Sequence, residues 1–117
     1  MKVTEIAEIL NAQIVCGTQN NSLEVDSAFG SDMMSDVLAY VNDRSVLLTG
    51  LLNVQAIRTA EMMDMPCVVL VRGKTPTNEM IELAKERGIV LLTTEMRMYE
   101  ACGRLYAKGL PARGDSK

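Results

Sequence analysis

The residues best placed to do chemistry are polar ones that follow apolar runs. Arg72-Gly73-Lys74-Thr75 sets two cations around a flexible glycine, just ahead of a helix-start signal. That pattern suits a phosphate or a carboxylate, and it also suits a solvated turn that caps its helix. Ser31-Asp32-Met33-Met34-Ser35-Asp36 carries a Ser-Asp pair twice. A polar ligand contact or a regulatory hydroxyl is one reading, but capping alone accounts for Ser31 and Asp32. Thr49-Gly50 places a glycine where a tight turn, or the close approach of another backbone, needs one. Asn53 and Gln55 can reach the same crevice, with Asn53 also serving as a plain helix cap. Thr93-Thr94 completes the set. Each of these stretches precedes a helix start, whose free N–H groups and dipole favour anions.

Several kinds of catalysis are excluded by what the chain lacks. It has no His, so His-based triads, His general bases and His metal ligands are absent. There is no Gly-x-x-x-x-Gly-Lys-Ser/Thr phosphate loop, no Gly-x-Gly-x-x-Gly after the first strand and no Gly-x-Ser-x-Gly elbow. The three cysteines, Cys16, Cys67 and Cys102, are odd in number and far apart. They form neither a disulfide framework nor a zinc set, and read as free buried thiols in a reducing compartment. No metal and no cofactor is implied.

The elements that must position these residues follow from periodicity. Residues 4–11 read as a short helix capped by Thr4, with Ile6, Ile9 and Leu10 inward. Strands are expected over Gln13–Cys16 and Leu23–Phe29, separated by loop chemistry at 17–22. A helix over Met33–Val41 is broken at Asn42-Asp43. Then come strand 46–49, a helix from Asn53 to about Met63, and strand 67–71. A helix capped by Thr75 with Pro76 at its first position ends at Gly88. Strand 89–92 and a last helix, capped by Thr94 and running to about Ala107, complete the series. Arg58 and Glu61 sit at i,i+3 and read as an ion pair. From residue 46 the strands are continuous apolar runs, as in a parallel sheet covered on both faces. The expected fold is therefore α/β, a Rossmann-like three-layer domain with a mostly parallel sheet flanked by helices.

Length and composition set the frame around that fold. A chain of 117 residues favours one domain, here 1–107, followed by a mobile polar tail over 108–117. Hydrophobic residues make up 48%, but they include nine Met, three Tyr, one Phe and no Trp. The core should be aliphatic and thioether, with Met62, Met63 and Met65 within it or offering an adaptable contact surface. Net charge is −3, with Lys and Arg scattered, so no nucleic-acid footprint is visible. The N-terminus is no signal peptide, and the apolar runs fall far short of the ~20 residues of a membrane span. A cytoplasmic location is expected.

The chain also resembles a known family, the DRTGG domain, over Met1 to about Ala107. The resemblance is carried by Val3-Thr4-Glu5-Ile6-Ala7, by Ala28 through Ser35-Asp36-Val37-Leu38-Ala39, and by Leu47-Leu48-Thr49-Gly50. It continues through Gln55-Ala56-Ile57-Arg58-Thr59-Ala60, Val69 through Gly73, and Ile81 through Ile89. Leu92-Thr93-Thr94 and Tyr99-Glu100-Ala101-Cys102 close it. The name-giving run is not present: after Gly50 comes Leu51-Leu52-Asn53, where the resemblance would place an acidic–basic pair. The resemblance implies a fold similar to the N-terminal domain of HPr kinase/phosphorylase. It further implies a regulatory or oligomer-forming role, as in members found beside nucleotide-sensing CBS pairs, in phosphate acetyltransferases and in pyrophosphatases. Small stand-alone members are similar to proteins that accompany iron-only hydrogenase systems.

The function expected is a non-catalytic regulatory or interaction domain. It would be a homodimer, with a small anionic ligand such as a nucleotide at the strand ends, or with a protein partner. Two rivals stand beside it. One is a small phosphoryl- or acyl-handling enzyme with Arg72 and Lys74 on the anion and Asp32 as base. The other is a purely structural subunit of a larger complex.

Overall fold

Short runs of Val and Leu in the middle of the chain become buried strands in the computed structural model, which describes residues 1–17, 23–41 and 44–112. The elements in order are α1 (Val3–Ile9), β1 (Gln13–Cys16), β2 (Ser27–Gly30), α2 (Met34–Tyr40) and β3 (Ser45–Thr49). They continue as α3 (Val54–Met62), β4 (Cys67–Leu70), α4 (Asn78–Arg87), β5 (Val90–Thr93) and α5 (Met98–Ala107). The sheet order is β1-β5-β4-β3-β2. Strands β2 to β5 are parallel, and β1 pairs antiparallel with β5.

Every residue of β3 and β4 is buried, and alternation divides them between two cores. Leu47, Val68, Leu70 and Leu91 pack with Val37 of α2, Ile57 and Ala60 of α3, and Met80 and Ala84 of α4. Val46, Leu48, Val69 and Leu92 pack with Val3 and Ile6 of α1 and with Ala101 and Leu105 of α5. The period of two in a strand makes this division automatic. The result is the expected three-layer α/β fold with a mostly parallel sheet. Its buried hydrophobic residues are aliphatic, Met or Cys, with no aromatic among them.

The crossovers fix where a crevice can form. The chain leaves β2, β3 and β4 for helices on one face, and leaves β5 for α5 on the other. The switch therefore lies between the carboxyl ends of β4 and β5, where open α/β sheets place ligands.

Several caps differ from expectation. Thr4 lies inside α1, whose N-cap is Lys2, and the Lys2 N–H donates to the Glu5 carboxylate at 2.9 Å. Thr77, not Thr75, caps α4, its hydroxyl accepting the Met80 N–H at 3.1 Å; Pro76 then falls outside the helix. α5 starts after Arg97, so Thr94 does not cap it. Asn53 does cap α3, and Gly88 ends α4 at φ 70°. Strand β2 begins only at Ser27, because Leu23 and Val25 are bonded to the N-terminal segment at Val3 and Met1. Glu61 pairs with Arg87 across α3 and α4 at 3.2 Å, not with Arg58. Of the methionine cluster, Met65 is core and Met62 is exposed.

Packing also continues past residue 107. Leu110 is buried, and the Pro111 carbonyl accepts the Ala28 N–H at 3.3 Å. Residues 113–117 of the expected tail, the Asn42-Asp43 breaker and most of the 17–22 loop lie outside the described residues.

Candidate anion site at the strand tips

The carboxyl ends of the four parallel strands bring part of the expected set together. Thr49 ends β3 fully buried, and its hydroxyl donates to Asp32 Oδ1 at 3.1 Å. The Gly50 N–H donates to the same oxygen at 2.6 Å. Asp32 therefore does not cap α2: its carboxylate turns inward and takes the donors at the end of β3. Ser31 provides the local turn instead, its Oγ accepting the Met33 N–H at 2.9 Å.

Arg72 approaches from β4. Its φ is +65° and that of Gly73 is +66°, and the Lys74 N–H points to the Val71 carbonyl at 3.4 Å. Two successive positive φ values at the centre of a four-residue turn are the mark of a type I′ turn. Glycine adopts that conformation freely; for arginine it costs about 1–2 kcal/mol. The turn lays the guanidinium over Gly50, where a Cβ on residue 50 would collide with it. One guanidinium nitrogen lies 3.6 Å from Asp32 Oδ2, an ion pair too long for a hydrogen bond. Both side chains are about half exposed, at 47% and 51%.

The crevice between β4 and β5 is closed by backbone. The Arg72 N–H donates to the Met96 carbonyl and the Gly73 N–H to the Thr94 carbonyl, both at 2.8 Å. Glu95 folds over Gly73, so a Cβ there would come within 2.7 Å of its carboxylate. Thr94 is buried and structural: its hydroxyl donates to the Leu10 carbonyl at 2.7 Å and accepts the Met96 N–H at 3.2 Å. Thr93 sits in β5, in register with Leu70 and Gln13.

The structure thus gathers Asp32, Thr49, Gly50 and Arg72, with Gly73 and Lys74 beside them. Asn53 is taken up by its cap, Oδ1 accepting the Gln55 N–H at 2.8 Å, and neither residue bonds to the group. Glu95 was missed. Its signal was its place directly after Thr93-Thr94 at a strand end, which the charge pattern alone did not single out.

Chemically the tips can hold an anion but offer little to attack with. Cys102 lies behind Gly30, and burial pushes its thiol up, away from the thiolate. Burial does the same to Cys16 and Cys67. Among the described residues there is no group of three or more Cys, Asp or Glu able to hold a metal. Nor is any described helix long and apolar enough to cross a membrane.

Comparison with known proteins agrees with this architecture. No curated protein matches the chain. Among solved structures, the chain is similar to the CBS and DRTGG domains of the regulatory region of Clostridium perfringens pyrophosphatase, complexed with its activator diadenosine tetraphosphate. The TM-score is 0.74 at 19% identity, over 95% of this chain and 48% of that one. The chain thus spans about half the length of that neighbour, and the likeness is one of fold. The family model of the DRTGG domain matches residues 5–107, nearly the whole described fold, and on that match the chain belongs to the DRTGG domain family.

Proposed function

We propose that this chain is a regulatory domain that works as a homodimer without turnover and takes a small anionic ligand, such as a nucleotide, at its strand tips. The observation that carries the reading is Arg72. A non-glycine residue held at positive φ costs free energy that the sequence avoids with glycine at the next position. What the strain achieves is a guanidinium laid over Gly50 between the ends of β3 and β4, on a side chain that is about half exposed. Lys74 follows two residues later and, among the described residues, forms no ion pair. The two cations can grip a phosphate from the solvent side while Asp32 holds the framework behind them. Asp32 is a poor candidate for a general base, because Oδ1 already accepts two hydrogen bonds and Oδ2 faces Arg72. A nucleotide is favoured because the regulatory region of similar fold binds one.

Thermal-shift and calorimetric titration with AMP, ATP, diadenosine tetraphosphate, acetyl phosphate and inorganic phosphate tests the reading. A ligand at 100 times its Kd adds about 2.7 kcal/mol of stability. That gain should vanish in Arg72→Ala and shrink in Lys74→Ala. A flat panel with the wild-type chain rejects the ligand and leaves a structural subunit. Steady consumption of acetyl phosphate or ATP rejects the regulatory reading in favour of an enzyme.

A further inference from the structure

All four aromatic residues lie at one edge of the molecule. Phe29 is in the edge strand β2, Tyr40 is in α2, which follows it, and Tyr99 and Tyr106 are in α5, which packs against it. The three tyrosines are 69%, 92% and 70% exposed. Phe29 packs against the core under α2 to α4, across the sheet from α5. The exposed aromatics of the α5 face are therefore Tyr99 and Tyr106, a residue type enriched at protein interfaces.

Between α5 and the β2 edge runs a groove of about 460 Å³, lined by Ala28, Gly30, Tyr99, Cys102, Gly103 and Tyr106 among others. The last four are spaced i, i+3, i+4 and i+7, so they form one stripe on α5. Gly103 is the anomaly. Inside a helix, glycine costs about 0.5–1 kcal/mol relative to alanine. Gly30 has an internal reason, since a Cβ there would strike the sulfurs of Cys102 and Met98. At Gly103 a Cβ would meet nothing within 4 Å. Among the described residues nothing fills that space, so whatever needs a bare backbone at Gly103 lies outside them.

We infer that this face receives α5 of a second copy, packed antiparallel about a two-fold axis between Cys102 and Gly103. The stripe Tyr99-x-x-Cys102-Gly103-x-x-Tyr106 is palindromic in size, and a two-fold contact demands such self-complementarity. In that arrangement Tyr99 packs against Tyr106 of the partner subunit. Small residues meet at the crossing, where side-chain size sets how closely two helices approach. The stripe is uncharged, and the neighbouring Glu100 and Arg104 neutralise each other at 3.1 Å, so like copies meet no repulsion there. Other occupants fit less well. A β-strand added to β2 would meet the Pro111 carbonyl already on the Ala28 N–H. A charged small ligand would find no counter-charge among those groove residues. Leu110 to Ala112 also line the groove and widen the face toward the roughly 800 Å² per partner of a stable dimer.

The inference rests on the homodimer reading above, and one experiment separates their failures. Sedimentation velocity of the full chain over a concentration series should show a monomer–dimer equilibrium. Gly103→Glu and Tyr106→Ala should each raise the dimer Kd at least about 30-fold, the effect of an interface hot spot. Circular dichroism of the dilute monomer should stay unchanged, and Glu86→Lys on α4 should leave the Kd alone. A wild-type chain that stays monomeric at every concentration overturns both the inference and the homodimer. A wild-type dimer indifferent to Gly103→Glu and Tyr106→Ala overturns this surface only.

Discussion

Asp32 Oδ1 accepts the Gly50 N–H at 2.6 Å, tying the chain that leaves β2 to the chain that leaves β3. The same oxygen takes the hydroxyl of the buried Thr49. Removing the carboxylate leaves two donors without their acceptor, one of them at a fully buried residue. Asp32→Ala should therefore cost about 1–3 kcal/mol, read from urea unfolding. Asp32→Asn keeps an acceptor oxygen and should lose less. It also removes a negative charge beside Arg72, so the anion found by the titration panel should bind more tightly to Asp32→Asn than to the wild type. If Asp32→Asn instead weakens binding, the carboxylate contacts the ligand directly.

At Arg72, strain and function can be pulled apart. Arg72→Gly relieves the positive φ, while glycine adds freedom to the unfolded chain; the two effects nearly offset. Unfolding free energy should shift by no more than about 1 kcal/mol, whereas anion binding should be lost. Gly50→Ala attacks the same contact from the other side. The three atoms nearest its methyl all belong to the Arg72 guanidinium, the far end of a flexible side chain, so the guanidinium should move and the fold should hold. Binding should weaken with little change in melting temperature. Equal loss of stability and binding in both variants would make Arg72 a structural residue.

The sequence carries the layers of this fold because burial on both faces writes itself as unbroken runs such as Val46-Leu47-Leu48 and Cys67-Val68-Val69-Leu70. The loop positions of the site were legible for the same reason, since strand ends locate them. Side-chain direction was not. Asp32 follows a serine before a helix, and local rules assign it to capping. Only the register of β2 against β3 brings it beside Gly50, and register is a long-range property. Thr94 misled in the same way: a threonine ahead of a helix reads as a cap, but it is bonded to the carbonyl of Leu10, distant in sequence. The α5 stripe was passed over because Tyr99, Cys102, Gly103 and Tyr106 match no chemical motif. What sets them apart is the space beside Gly103, empty among the described residues.

Thr94 gives a control for the site. Its hydroxyl is buried and holds the carbonyl of Leu10 at the end of α1. Thr94→Val keeps the shape and removes both of its side-chain hydrogen bonds. Stability should fall by about 1–3 kcal/mol, the cost of a buried acceptor left unpaired. Ligand affinity of the folded protein should stay at the wild-type value. A selective loss of affinity with unchanged stability would place Thr94 in the binding surface.

The buried thiols predict how stability responds to alkali. Burial raises the pKa of Cys67, and of Cys16 and Cys102, above the ordinary value of 9.0. In the unfolded chain these thiols lose their protons near that value, while in the fold they keep them. Above it the folded state binds more protons than the unfolded one, so the derivative of unfolding free energy with pH is negative. The stabilising contribution is complete below about pH 9 and drains away as pH rises toward the folded-state value. The slope is about 1.4 kcal/mol per pH unit for each such thiol. Urea unfolding of the wild type and of Cys67→Ala from about pH 8 to 10.5 checks this. The variant loses packing by an amount that does not vary with pH, and tyrosine and lysine ionisation cancels in the difference. The gap between the two should narrow above pH 9, because the variant has one thiol fewer to ionise on unfolding. A gap constant across the whole range would mean that Cys67 ionises as readily in the fold as outside it, contrary to its complete burial between β3 and β5.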